Sequence, residues 1–237
     1  MKNLLTITVA CFAMLTATAQ QQIEASGKTV KTTRQVAEFE NLSTNGPFEI
    51  ILKEGISGKI IIEAPENITD YIITAVTNNT LDISIKEGLI FKPSNKNKVI
   101  VHVPFKALNE ISLSGSGSII SEKTLASNVK IFLNGSGNIN LRLHSPKTEA
   151  IVTGAGHIEL TGSSDNFTCF VTGSGSINAK ELDSNNVNAA VKGSGNLKVL
   201  CNKAIKGRIS GSGTIAFTGE PAQTDLMKTG TGDFKAF

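Results

Sequence analysis

Apolar and polar residues alternate with period two on both sides of a recurring Gly-small-Gly triplet. Four residues after the first glycine of each triplet stand Ile119, Ile139, Ile158, Ile177, Leu197, Ile215 and Phe234. Two residues before it stand Leu113, Leu133, Val152, Val171, Val191, Ile209 and Lys228, apolar in every copy but the last. The position just before the glycine is polar throughout (Ser114, Asn134, Thr153, Thr172, Lys192, Ser210, Thr229). So is the position three after it (Ser118, Asn138, His157, Ser176, Asn196, Thr214, Asp233). In-out alternation of this kind is the mark of a strand with one buried face. Carried unbroken through the triplet, the parity predicts that both glycines face inward and the small residue between them faces outward.

The triplets begin at Gly115, Gly135, Gly154, Gly173, Gly193, Gly211 and Gly230, at intervals of 20, 19, 19, 20, 18 and 19 residues. A path of about 19 residues that returns to its own phase is the size of one β-solenoid coil. The prediction is an all-β chain forming a right-handed parallel β-helix, with like columns stacked at about 4.8 Å. The density of glycine and β-branched residues argues against helix. Short return segments such as Thr124 to Asn128 and Leu182 to Asn186 complete each coil.

Upstream, Phe48 to Leu52, Ile60 to Glu63, Leu81 to Ile85 and Val99 to Val103 read as further strands, with a hairpin at Thr77-Asn78-Asn79-Thr80. Lys86 to Lys98 reads as a long loop. A solenoid end exposes unpaired backbone, so this segment is expected to be an N-terminal cap or a set of degenerate coils. The expected organisation is a signal peptide over 1–19, a β-rich segment over 20–110 and regular coils over 111–237. The signal peptide rests on Lys2, the uncharged run Leu4 to Leu15, and Ala17-Thr18-Ala19. A lipoprotein signal acylated at Cys11 is the competing reading. The expectation is therefore export, with cleavage near Ala19, to the periplasm or the cell surface, and no transmembrane segment in the mature chain.

Composition narrows the chemistry. A net charge of +3 with scattered cations, and arginine only at 34, 142 and 208, gives no phosphate-tracking groove, so no nucleic-acid partner is expected. Cys169 and Cys201 follow no metal-ligand spacing and read as free or buried thiols. His102, His144 and His157 fall at different phases, and an acid follows the glycine pair only at Asp233. No cofactor or metal is expected.

Phe48-Glu49-Ile50 with Gly55, Leu81-Asp82-Ile83, and Ile111-Ser112-Leu113-Ser114-Gly115-Ser116-Gly117 with its repeats resemble the "putative auto-transporter adhesin head, GIN domain" family of Bacteroidetes. The resemblance covers nearly the whole mature chain. It implies an exported all-β protein and assigns no functional residue. The sequence stops at Phe237 after the last repeat with no translocator barrel, so a complete autotransporter is not expected.

The outward columns are expected to stack into a flat polar face comprising Ser116, Ser136, Asn138, His157, Ser174, Ser176, Ser194, Asn196 and Ser212. It is a candidate binding face for an unknown protein or glycan at the cell envelope. The competing reading is that stacked small polar residues merely satisfy one another. With no Trp, only Tyr71, and Phe132, Phe170 and Phe217 read as core, sugar stacking is not expected. The first expectation is a non-catalytic structural or interaction module, able to form homo-oligomers through a solenoid end or face. The alternative is a glycan-binding or carbohydrate-active solenoid, with Asp165 and Asp183 as the carboxylate pair to examine.

Overall fold

The computed structural model describes residues 21–56, 58–92 and 97–237. The signal-peptide reading over 1–19 and the Cys11 alternative lie outside the described residues. The chain forms a β-solenoid whose parallel strands stack about 19 residues apart. The predicted columns are the observed ones. Ile139 pairs with Ile158, Ile158 with Ile177, Ile177 with Leu197 and Leu197 with Ile215. On the other side Leu133, Val152, Val171, Val191 and Ile209 stack in the same way. All of these are buried. Each rung adds aliphatic side chains that contribute about 1.5–3 kcal/mol when fully buried, offset largely by the entropy of ordering the coil.

The parity does not run unbroken through the triplet. Strands end at the first glycine and resume after the second, and the chain bends between them. The first glycine takes a left-handed φ, from +102 at Gly115 to +124 at Gly135, a conformation that costs an L residue about 1–2 kcal/mol. It is partly or fully exposed, and only the second glycine is buried. That second glycine lets successive coils touch: a Cβ on Gly175 would lie 2.6 Å from the Gly156 carbonyl oxygen and 2.6 Å from Val152 Cγ1. The triplet is thus a corner, and the columns before and after it lie on different flanks.

A second corner stacks Ser145, Ser164 and Ser184, all buried. Ser145 Oγ donates to the Lys147 carbonyl (2.8 Å) and Ser184 Oγ to that of Leu182 (3.1 Å), while Ser164 Oγ, 3.2 Å from the Asn166 carbonyl, donates to Thr148 Oγ1 at 2.9 Å. In the following coil Cys201 Sγ faces the Ala204 carbonyl at 3.1 Å. Local irregularities account for two of the uneven intervals. The 20-residue step after Gly173 carries a register shift between Glu159 and Thr161, whose partners are Asn178 and Glu181. The 18-residue step is shortened at the Cys201–Lys203 turn, where Ala204 pairs with Asn186.

The N-terminal segment merges into the solenoid through one continuous sheet and core. Asn41–Asn45 pairs in parallel with Glu110–Gly115, and Phe48–Glu54 with Ser118–Ser121. Together they form a further coil cornered at Gly46, where φ is +138. Thr80–Ile85 and Val99–Phe105 stack on the opposite side of that coil. From the strand Thr29–Gln35 at the end the chain enters this inner coil, runs back out through Lys59–Pro65 to the coil over 80–105, and returns to Glu110–Gly115 on the other side of the inner coil. Thr29–Gln35 pairs antiparallel with Lys59–Pro65, which also pairs antiparallel with Val99–Phe105, and these strands close the end. Ile72–Thr77 and Thr80–Ile85 form the expected hairpin about Asn78 (φ 50) and Asn79 (φ 62), the positive pair of a type I′ turn. The loop expected between Lys86 and Lys98 includes the strand Leu89–Lys92, paired in parallel with Gln21–Glu24.

Two phenylalanines expected in the core are not there. Phe132 and Phe170 face outward, half-buried, with no place in the core cluster, whereas Phe217 packs against it. The core phenylalanines are Phe39, Phe48, Phe91, Phe105 and Phe167. Cys169 and Cys201 are both buried and free.

Candidate functional site

Ser116, Ser136, Ser174, Ser194 and Ser212 ride the glycine corner as an exposed ridge. Their backbone is spoken for by the preceding coil. Ser136 N–H donates to the Gly115 carbonyl (3.0 Å), Ser174 N–H to Gly154 (3.0 Å), Ser194 N–H to Gly173 (2.9 Å) and Ser212 N–H to Gly193 (3.0 Å). Ser212 Oγ also donates to Ser194 Oγ at 3.1 Å. Asn138, His157, Ser176 and Asn196 belong to the flank after the corner, where Asn138 and Asn196 are exposed and His157 Nδ1 lies 2.8 Å from Ser176 Oγ. The predicted residues therefore divide between an edge and one flank, because the chain bends at the triplet.

Polar side chains on the flanks bond to their neighbours one coil away. Glu159 receives Asn140 Nδ2 and Asn178 Nδ2, both at 3.4 Å, and Asn186 Nδ2 donates to Asn166 Oδ1 at 3.2 Å. Stacking at rung spacing supplies the partner. The two carboxylates singled out as a catalytic pair share this fate. Asp165 accepts from Asn185 Nδ2 at 3.0 Å, and Asp183 accepts from Asn202 Nδ2. In register Asp183 faces Ser163, not Asp165. On the cap, Glu63 Oε1 is 2.9 Å from Lys31 Nζ and 2.9 Å from His102 Nε2. The Lys31 and His102 contacts hold its carboxyl below the usual range against the opposing effect of burial. Among the described residues no group of His, Cys, Asp and Glu side chains is arranged to hold a metal ion, and no helix is long and apolar enough to cross a membrane.

The flank before the corner carries what the sequence reading missed. Register stacks Phe132, Ile151, Phe170, Ala190, Arg208 and Met227 in one outward column. Where small Ala190 follows Phe170 the column recedes, and a groove of about 370 Å³ opens, with Thr172, Lys192 and Ser210 along its side. Arg208 lines it beyond Ala190, with Met227 in the rung after. Its guanidinium donates to the Gly207 carbonyl (2.8 Å), the Asp225 carbonyl (2.9 Å) and Asp225 Oδ2 (2.6 Å). That contact holds the Asp225 carboxyl below its ordinary value. The signal was present in the repeat: position three before the glycine shares parity with the polar column just before it.

The family model described as "Putative auto-transporter adhesin, head GIN domain" matches residues 38–221. A putative adhesin from Bacteroides fragilis is similar at 28% identity over 91% of this chain and 100% of that chain, with a TM-score of 0.83. At 22% identity, a putative adhesin from Parabacteroides merdae (92% of this chain, 99% of that chain, TM-score 0.73) shares the fold. So does a putative lipid binding protein from Parabacteroides distasonis (22% identity, 92% and 100% covered, TM-score 0.73). None of the curated proteins compared with the chain matches it.

Proposed function

The chain belongs to the "Putative auto-transporter adhesin, head GIN domain" family, and from that premise we propose that it is an exported, adhesin-like interaction module that binds through its outward columns without catalysing a reaction. The observation that carries this reading is the arrangement of the outer surface. Rigid in-register rungs hold the outward side chains in fixed columns, which suits contact with an extended partner. Relatives described as putative adhesins support the same direction.

A carbohydrate-active solenoid is the weaker reading. Glycoside hydrolysis needs two carboxyl groups poised on either side of one bond, and Asp165 and Asp183 each bond to an asparagine of the next coil. Export, with removal of the first nineteen residues, is part of the proposal. Proteolytic shaving of intact cells tests the location, and beads coated with purified protein test adhesion. Peptides of this chain in the shaving medium, together with bead retention on cells or on isolated envelope glycans, are the expected results. Retention no better than that of uncoated beads refutes the adhesin-like role. Polysaccharide turnover abolished by Asp165→Asn with Asp183→Asn would replace it with catalysis.

A further inference from the structure

We propose that the outward groove between Phe170 and Arg208 is a recognition site for a carboxylated saccharide. This deepens the adhesin-like reading and rests on it, by naming a place on the surface and a class of ligand. The first observation is an apolar outward column that reaches the groove at Phe170, where the parity of the repeat calls for a polar residue. Phe132, Ile151 and Phe170 are successive rungs of one column on the solvent side. The two phenylalanines stand two rungs, about 9.6 Å, apart, a span that linked sugar rings can cover. An aromatic face meets the apolar face of a pyranose while neighbouring hydroxyls meet its rim, and Thr172 and Ser210 stand alongside the groove.

The second observation is charge. Arg208 is fixed by three hydrogen bonds, which leaves the remaining donors of its five unused on a guanidinium that needs no ordering. Asp225 is the sole carboxylate among these contacts, and it is set against Arg208 and the nearby Lys206. Exposed Lys192, on the groove wall, makes no ion pair among the described residues. The groove therefore presents excess positive charge next to an aromatic surface. A neutral sugar would leave Lys192 without a partner, and a simple anion would leave Phe170 unused. A uronate ring uses both, its carboxylate meeting Lys192 and the free edge of Arg208 through charge-assisted hydrogen bonds.

The test is a titration of purified protein with an oligouronate prepared from alginate, beside cellohexaose and polyglutamate. Oligouronate binding is expected, with cellohexaose and polyglutamate at least tenfold weaker. Phe170→Thr and Lys192→Glu should each weaken oligouronate binding at least tenfold at unchanged melting temperature. Lys147→Ala, at an exposed position beside the serine corner, should leave it intact. No binding at millimolar oligouronate, equal binding of polyglutamate, or indifference to both groove substitutions overturns the proposal. Bead adhesion that persists in Phe170→Thr and Lys192→Glu would leave the adhesin-like role standing and remove this site from it.

Discussion

Two separate demands fall on the glycines of the corner, and alanine substitutions can measure each alone. Gly27 has a positive φ of +96 and nothing within 4 Å of a would-be Cβ, so Gly27→Ala carries conformational strain only. Gly175 has no positive φ, yet its Cβ would sit 2.6 Å from the Gly156 oxygen and 2.6 Å from Val152 Cγ1. Gly173 carries both demands, with φ +111 and a Cβ 2.6 Å from the Gly154 oxygen. Left-handed strain costs about 1–2 kcal/mol, and forced overpacking about 1–3 kcal/mol. Neighbouring backbone cannot yield cheaply at Gly175, because Gly175 N–H is bonded to the Gly154 carbonyl at 2.9 Å. Gly27→Ala should thus cost about 1–2 kcal/mol, Gly175→Ala about 1–3 kcal/mol, and Gly173→Ala about 2–5 kcal/mol. At about 2–4 °C per kcal/mol for a domain of this size, thermal unfolding followed by circular dichroism resolves the order. Gly175→Ala as stable as the parent, or Gly173→Ala no worse than Gly27→Ala, would refute the two-demand account of the corner.

Other outcomes follow from single contacts. Ser164 Oγ donates to Thr148 Oγ1 at 2.9 Å in full burial, so Ser164→Ala should cost about 1–3 kcal/mol in urea unfolding by stranding that hydroxyl, and a cost near zero would mean the bond is not formed. Burial pushes the thiols of Cys169 and Cys201 up, so neither should react with a thiol reagent at pH 8 until urea unfolds the chain. Stoichiometric labelling of native protein would contradict their placement. Cys169 shares its inward column with Ala150 and Ala189, and Cys169→Ala should fold with a melting temperature close to the parent's. Glu63 has a lowered folded pKa, so its contribution is present above the ordinary carboxylate range and is lost as pH falls through the lowered value. Glu63→Gln should therefore melt below the parent at pH 7 and converge with it under acid, and a gap that stays constant with pH would count against the Lys31 and His102 contacts.

The columns of the solenoid were legible because side chains reported them, and the corner was not, because it lies where no side chain reports. The departure from parity falls on the first glycine itself, a residue whose polarity says nothing about facing. The coil cornered at Gly46 escaped notice for a related reason. Pro47 and Phe48 replace the serine and second glycine, and Thr44 stands where the repeat has an apolar residue two before the glycine, although Ile50 stands four after it as the repeat requires. Periodicity also carries no spatial order, so nothing in it could say that the 80–105 coil stacks outside the 41–54 coil. That order is seen only in the parallel pairing of Thr80–Ile85 with Asn41–Asn45 and of Val99–Phe105 with Phe48–Glu54.

Phe132 and Phe170 were misplaced for the opposite reason. Their parity points outward, as observed, and their hydrophobicity points inward. The conflict itself carries the information. A corner serine agrees with every local requirement, being small, polar and exposed, so nothing about its identity calls for a ligand. An aromatic residue on a solvent-facing column breaks the local rule and leaves apolar surface in water, a cost that repetition does not impose. Ser112, Ala190 and Arg208 occupy the same column, so the fold accepts small and charged residues there. The apolar run is therefore a property of these rungs, not of the architecture, and it ends beside the cations that would hold an acidic ligand.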